Sequence, residues 1–234
     1  MIGMPTSVTP YPRGMAPIRI GQEVGAKKTF VWVIDWPGWC RGAKTVELAV
    51  GALLEATPRY AEVAKLAGLE LPKAPAKGLE LETIESVPAS AGTDFGIPYG
   101  IADDDRRAVT TAQAKRLAAL VDAGWTTFDR VAADAPPTLR KGPRGGGRDR
   151  DKMIEHVVGA DHAYAREIGV KLPEPSWKDR DAVEAERAAV LEVLATRSDG
   201  SPLAGRKWTA RYAARRIAWH ALDHAWEMED RSER

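Results

Sequence analysis

The chain has 234 residues, enough for one or two domains, and its 44% hydrophobic and 29% charged residues are ordinary proportions for a globular protein. Its 34 basic and 33 acidic residues leave a formal net charge of +1, which gives no reason to expect nucleic acid or an acidic membrane surface as a partner. The single cysteine, Cys40, excludes an internal disulfide, and no apolar run is long enough to span a bilayer.

Residues 1–17 hold four prolines and two glycines, and they lack the apolar centre of a signal peptide. We therefore expect an irregular N-terminal stretch. Because no membrane segment or paired cysteines are present, we also expect a cytoplasmic location, with no membrane partner.

The next part of the chain has the pattern of a small α+β domain. The predicted strands cover residues 18–24, 29–34, 39–44 and 79–87. Between the second and third strands, Asp35 begins the turn sequence D-W-P-G, in which proline presets φ and glycine permits φ > 0. Thr45 is the expected N-cap of a helix that Pro58 should kink or break and that Gly68 should end.

This βββαβ order resembles the HicB-like α+β domain over residues 18–88, assigned here as a domain of residues 18–90. The matching positions in DWPGWCRGAKTVELAVGALLEA are Asp35, Pro37, Gly38, Gly42 and Thr45. The resemblance implies a subunit of the antitoxin type that binds a protein partner. The chain departs from that family in the tryptophans around the turn and in lacking an appended DNA-binding module.

Residues 91–106 are a linker by composition, because glycines, prolines and three consecutive aspartates argue against core structure. Residues 107–234 then carry four helical patterns. These cover residues 110–133, 150–168, 179–196 and a last stretch that follows Thr209 as its expected N-cap. The predicted fold class is thus α+β, with an N-terminal βββαβ domain followed by an all-α four-helix bundle.

The last helix carries His220 and His224 at a spacing of i, i+4, which places both imidazoles on one helix face. Two such rings can bind one metal ion, provided that another helix supplies a third ligand. His156 and His162 in the second bundle helix are the remaining histidines, and periodicity does not choose between them.

The sequence DKMIEHVVGADHAYAREIG resembles the second helix of the DinB-like four-helix-bundle superfamily, and WHALDHAWEMEDR resembles its fourth helix. The resemblance covers residues 106–234 and implies a metal triad of His156, His220 and His224. It also implies a divalent cation, Zn²⁺ or Ni²⁺, and a role for a low-molecular-weight thiol, because the family includes thiol-dependent transferases, isomerases and hydrolases.

Other side chains are expected around this triad. Asp223 and Glu227 could orient imidazole N–H groups, and Trp219, Trp226 and His162 could line a pocket.

The alternative is a metal-free interaction scaffold. In that case His220 and His224 are a satisfied core pair, and the HicB-like domain binds a protein partner. Self-association as a homodimer is a further expectation, and the sequence itself does not decide whether the protein is an enzyme.

Overall fold

The computed structural model describes residues 17–72, 79–142 and 147–232, so that all of the predicted irregular N-terminus except Pro17 lies outside the described residues. The fold is a mixed α+β arrangement in which a four-stranded sheet near the N-terminus is followed by helices. The strands are β1 Ile18–Val24, β2 Thr29–Val33, β3 Cys40–Ala43 and β4 Leu81–Pro88. Their order is β3-β2-β1-β4, with β4 parallel to β1 and the other pairs antiparallel.

The central strand β2 is buried on both faces of the sheet. Because side chains alternate along a strand, Val31 and Val33 point into the main core, while Phe30 and Trp32 point to the opposite face. There the ring of Phe30 meets Trp219 of the last helix edge-on, with centroids 5.9 Å apart. The sheet is therefore enclosed by the rest of the chain on both sides at β2.

Two short helices, α1 Val46–Glu55 and α2 Thr57–Leu66, stand where one interrupted helix was predicted. α1 packs on β2 and β3, and α2 packs against the later helix Thr111–Asp134. Thr45 caps α1 by accepting a hydrogen bond from the N–H of Leu48. Pro58 lies in the first turn of α2, which confirms the expected break, and Gly68 follows the end of α2 with φ of +70°.

The segment between β4 and the bundle contains a single helical turn, α3 Ala91–Asp94, and a 3₁₀ turn at Asp104–Arg106. The expectation that this segment stays outside the core is wrong for Asp104 and Asp105, which are both buried. Asp105 binds the Arg215 guanidinium at 2.5 Å, and Asp104 binds Arg19 at 2.5 Å. Their burial follows from cationic partners that are distant in sequence.

Four long helices make up the second part of the chain: α4 Thr111–Asp134, α5 Arg150–Glu167, α6 Arg180–Leu194 and α7 Ala210–Ser232. Local signals set their ends, since Thr110 and Gln113 form a capping box on α4 and Gly169 follows α5 with φ of +92°. A short 3₁₀ turn at Leu203–Gly205 precedes α7. Most of α7 is buried, so this helix lies at the centre of the molecule.

The sheet and the bundle share one hydrophobic core. The turn between β2 and β3 touches α7 directly, because a Cβ atom added to Gly38 would lie 2.7 Å from Cδ1 of Leu222. Within the three described ranges, no helix combines the length and the hydropathy that crossing a lipid bilayer requires.

Candidate metal centre

Three histidines from two helices meet inside the bundle. α7 presents His220 and His224 with ring centroids 4.7 Å apart, and α5 presents His156 at 5.1 Å and 4.9 Å from them. Each ring offers one nitrogen such that the three atoms lie within 4.8 Å of one another. The expected convergence of these three residues is confirmed.

Helix periodicity explains how the rings come together. On α5, Met153 and Val157 are completely buried and fix the side of the helix that faces the core, and His156 lies at the edge of that side. On α7 the i, i+4 spacing aligns His220 and His224 toward α5. His220 is 5% exposed, whereas His156 and His224 are half-buried, so one side of the trio remains nearer to solvent.

The environment keeps two of the imidazoles uncharged. Burial lowers the pKa of His156 to about 4, with further contributions from His224 and the Arg148 guanidinium. Burial lowers the pKa of His220 well below its ordinary value, and His224 and Arg216 add to the shift. His156 and His220, whose Nε2 atoms are 3.3 Å apart, are thus neutral at pH 7, the state in which imidazole ligates a metal.

Glu227 holds the third ring. Its Oε2 atom is 3.0 Å from Nδ1 of His224, and its Oε1 atom accepts a hydrogen bond from Arg231 at 2.9 Å. The hydrogen bond from His224 is the main cause that lowers the pKa of Glu227, with Arg231 contributing as well. The Glu227 carboxylate therefore fixes the orientation of the His224 ring.

Two other predicted residues lie elsewhere. Asp223 was expected to orient an imidazole, but it forms an ion pair with Arg41 of β3 at 3.2 Å, because the helix turns its side chain toward the sheet. His162 lies between α5 and α6, where its Nδ1 atom is 2.6 Å from Oε1 of Glu186. Neither residue joins the trio.

The two tryptophans expected at a pocket are both buried, and they differ in their surroundings. The ring of Trp219 lies 6.0 Å from that of His220. Trp226 lies beneath the guanidinium of Arg41, and together with Arg59 of α2 it lines a cleft of about 330 Å³.

Tyr164 is a neighbour of the centre that sequence reasoning missed. Its ring lies 5.5 Å from the His220 ring, and its hydroxyl accepts a hydrogen bond from Arg216 at 3.0 Å. Tyr164 follows His156 by eight residues, close to two helical turns, so the same face of α5 carries both. From that spacing, Tyr164 could have been predicted from the sequence as a neighbour of the histidines.

The donor set fits a divalent metal. Three imidazole nitrogens from protein, with a fourth position left to water or substrate, are the composition of catalytic zinc sites. Within the described part of the chain, Nδ1 of His220 is buried without a hydrogen-bond partner. The contact of His220 with His156 is made through its other nitrogen, Nε2, so Nε2 is the atom that would hold a metal, and the buried Nδ1 would need a water to offset its desolvation.

No family model, curated protein or solved structure matches the chain. We therefore infer the function from the histidine trio and its surroundings.

Proposed function

We propose that His156, His220 and His224 bind one divalent cation, Zn²⁺ or Ni²⁺, in a bundle of the DinB-like type. The observation that carries the proposal is the set of three ring nitrogens within 4.8 Å of one another. When bound, such an ion would act as a Lewis acid that lowers the pKa of a water or thiol in its open position.

The protein's own residues prepare this position. His220 is almost completely buried, which keeps bulk water from one side of the centre. Glu227 holds the His224 ring in one orientation. Carboxylates that orient a ligating histidine in this way raise the metal affinity of a site by about 10- to 100-fold. Tyr164 packs against the His220 ring and limits its movement.

For the reaction, we propose a metal-dependent hydrolase or a transferase that uses a low-molecular-weight thiol. This part of the proposal follows from the likeness of α5 and α7 to the DinB-like helices. The centre itself supports activation of a small nucleophile, and it does not select between water and a thiol.

The first experiment measures metal content. Protein purified without a chelator and without a histidine tag is expected to contain one Zn²⁺ or Ni²⁺ per chain by elemental analysis. His156→Ala and His220→Ala should each lose that metal, because two remaining imidazoles bind it weakly.

His162→Ala is the matched control. It removes a histidine from the same helix as His156 but from outside the trio, so its metal content should equal that of the wild type. A wild-type protein free of metal after incubation with Zn²⁺ and Ni²⁺, or a His220→Ala protein with undiminished metal, would refute the centre.

A second role, as a HicB-like interaction scaffold, is favoured by one observation. β4 is an outer strand of the sheet, most of its side chains are exposed, and Ile84 is an exposed apolar residue on it. Outer strands can pair with another chain or a second copy. Sedimentation analysis tests self-association: Ile84→Glu should dissociate a dimer that uses this edge, and an unchanged dimer would contradict it.

A further inference from the structure

Arg216 is a buried cation without an acidic partner. It lies on α7 one turn before His220 and is 3% exposed. Within the described ranges it forms no ion pair with any carboxylate. A buried charge is costly unless it is paired, so the position of this guanidinium requires an explanation.

The other buried arginines in the described part of the chain are paired. Arg215 binds Asp105 at 2.5 Å, and Arg187 binds Asp129 at 2.8 Å. The fold thus supplies a carboxylate where it buries an arginine for structural reasons, and at Arg216 it supplies none.

Aromatic rings surround Arg216. The guanidinium carbon lies 4.6 Å from the ring centre of Trp219 and 5.2 Å from the ring centres of Tyr99 and Tyr164. Such rings stabilise the flat face of a guanidinium but do not accept hydrogen bonds from the N–H groups along its edge. Nη2 donates to the Tyr164 hydroxyl, whereas Nε and Nη1 have no partner among the described residues.

A further donor without a partner belongs to the same turn of α7. The indole N–H of Trp219 is also buried without a hydrogen-bond partner in the described ranges. The N–H groups of Arg216 and Trp219 that lack partners are all hydrogen-bond donors, and Arg216 is positively charged. The complementary ligand is therefore an acceptor that carries negative charge.

We propose that Arg216 forms an anion subsite beside the histidine centre and binds a carboxylate group of the substrate. The inference rests on the proposed function in one respect, namely that the rest of the same substrate reaches the metal. Tyr164 connects the two places, since its hydroxyl contacts Arg216 and its ring packs on His220.

A carboxylate fits the subsite better than a phosphate does. One carboxylate brings a single negative charge, which balances the single unpaired cation, and two oxygens for the few free N–H donors. A phosphate dianion carries both charges on one group and would leave the second uncompensated in a buried place, whereas a dicarboxylate such as succinate would bury only one of its two carboxylates there. Tyr99 is 48% exposed and packs on the guanidinium, so a ligand would have to displace this ring to reach Arg216 from that side.

The test uses the full-length chain without metal and follows tryptophan fluorescence, because Trp219 packs on Arg216. Succinate should bind saturably, whereas its uncharged analogue succinamide and inorganic phosphate should not. Arg216→Gln should raise the dissociation constant for succinate by about tenfold or more, the usual effect of losing a hydrogen bond to a charged group.

Arg211→Gln is the matched control, because it removes one positive charge from the same helix. Among the described residues, the Arg211 guanidinium donates hydrogen bonds to the backbone carbonyls of residues 107 and 108. The Arg211→Gln variant should bind succinate as the wild type does. Should Arg216→Gln fail to fold by circular dichroism, Arg216→Lys keeps the charge, and we expect weaker binding because the planar set of donors is lost.

Three results would overturn the subsite: equal response to succinate and succinamide, preference for phosphate, or undiminished succinate binding in a folded Arg216 variant. Measurement of the metal content distinguishes failure of the anion subsite from failure of the histidine metal centre. Arg216→Gln should keep wild-type metal content, since Arg216 is not a ligand. A chain that binds no metal yet shows the expected succinate pattern would refute the centre and support the subsite.

Discussion

At the scale of single residues, Gly38 occupies a position between β2 and α7 that has no room for a side chain. Its φ is +91°, and an added Cβ would lie 2.7 Å from Leu222 Cδ1 and 3.1 Å from Ala218 Cβ. Gly38→Ala should therefore lower the free energy of unfolding by about 2–4 kcal/mol, from backbone strain and overpacking together. Urea denaturation monitored by circular dichroism measures the change.

Gly51→Ala is the corresponding control within α1. An added Cβ there would meet no atom of the described residues within 4 Å, and its φ is not positive. Alanine should raise the stability by about 0.5–1 kcal/mol, because glycine inside a helix loses more backbone freedom on folding. Similar effects of the two substitutions would contradict the close approach of the turn to α7.

Residue types and spacing were enough to identify His220 and His224, because the i, i+4 rule is local, whereas the choice of His156 over His162 came from the resemblance. The same reasoning could not place Asp223, whose partner Arg41 is 182 residues away in the sequence. The contact between Arg216 and Tyr164 also joins residues 52 apart. Side-chain pairing across elements depends on packing that a local pattern does not contain.

At the scale of elements, Asp105 joins the segment after β4 to α7. Its carboxylate binds Arg215 and also accepts a hydrogen bond from the N–H of Ala102 at 2.9 Å. Asp105→Asn would leave the Arg215 cation buried without its counter-charge, and we expect a loss of about 3–5 kcal/mol in the free energy of unfolding.

Asp103→Asn is the control for that prediction, because Asp103 is exposed two residues earlier in the same acidic run. Its effect should stay within about 0.5 kcal/mol. Equal losses for the two variants in urea denaturation would show that the buried pair with Arg215 does not stabilise the segment.

Asp161 on α5 gives a pH prediction. Burial raises the pKa of its carboxyl to about 7 from the ordinary 3.8, although Arg187 and the indole N–H of Trp125 oppose the shift. Between these two pH values the folded protein binds more protons than the unfolded chain, so stability falls as the pH rises through this window. Above about pH 7 both states are ionised and this dependence ends.

Asp161→Asn should remove that decline, because the amide stays uncharged. Relative to the wild type, the variant should gain at least about 1 kcal/mol in the free energy of unfolding between pH 5 and pH 8. Denaturation curves at several pH values measure it. A difference that is independent of pH would contradict the raised pKa of the buried Asp161 carboxyl.

Element boundaries were largely predictable because their signals are local: Thr45, Pro58 and the Thr110 capping box lie where helices begin. The segment of residues 91–106 was misjudged, because glycine, proline and aspartate indicate solvent exposure unless a buried arginine is known to face them. The parallel pairing of β4 with β1 was not foreseen either, since alternation of apolar residues specifies a strand but not its neighbour.

At the scale of the whole molecule, the sheet and the bundle stabilise each other. Tyr60 of α2 donates its hydroxyl to the carbonyl of Pro37 at 2.7 Å, which fixes the turn that lies against α7. Arg41 on the sheet pairs with Asp223 on α7, and Arg59 on α2 pairs with Asp230. These contacts hold in place the helix that carries two of the three centre histidines.

We therefore expect the full chain to unfold in one step, and residues 107–234 alone not to form a native bundle. Without the sheet, Trp219 and Leu222 would be exposed to water, at a cost of about 1.5–3 kcal/mol for each large side chain. Near-ultraviolet and far-ultraviolet circular dichroism of the full chain should give coincident urea transitions. The fragment should lack the near-ultraviolet signal and bind a hydrophobic dye. Two separate transitions, or a fragment with native tryptophan signals and full Zn²⁺ content, would instead show that the bundle and its centre are independent of the sheet.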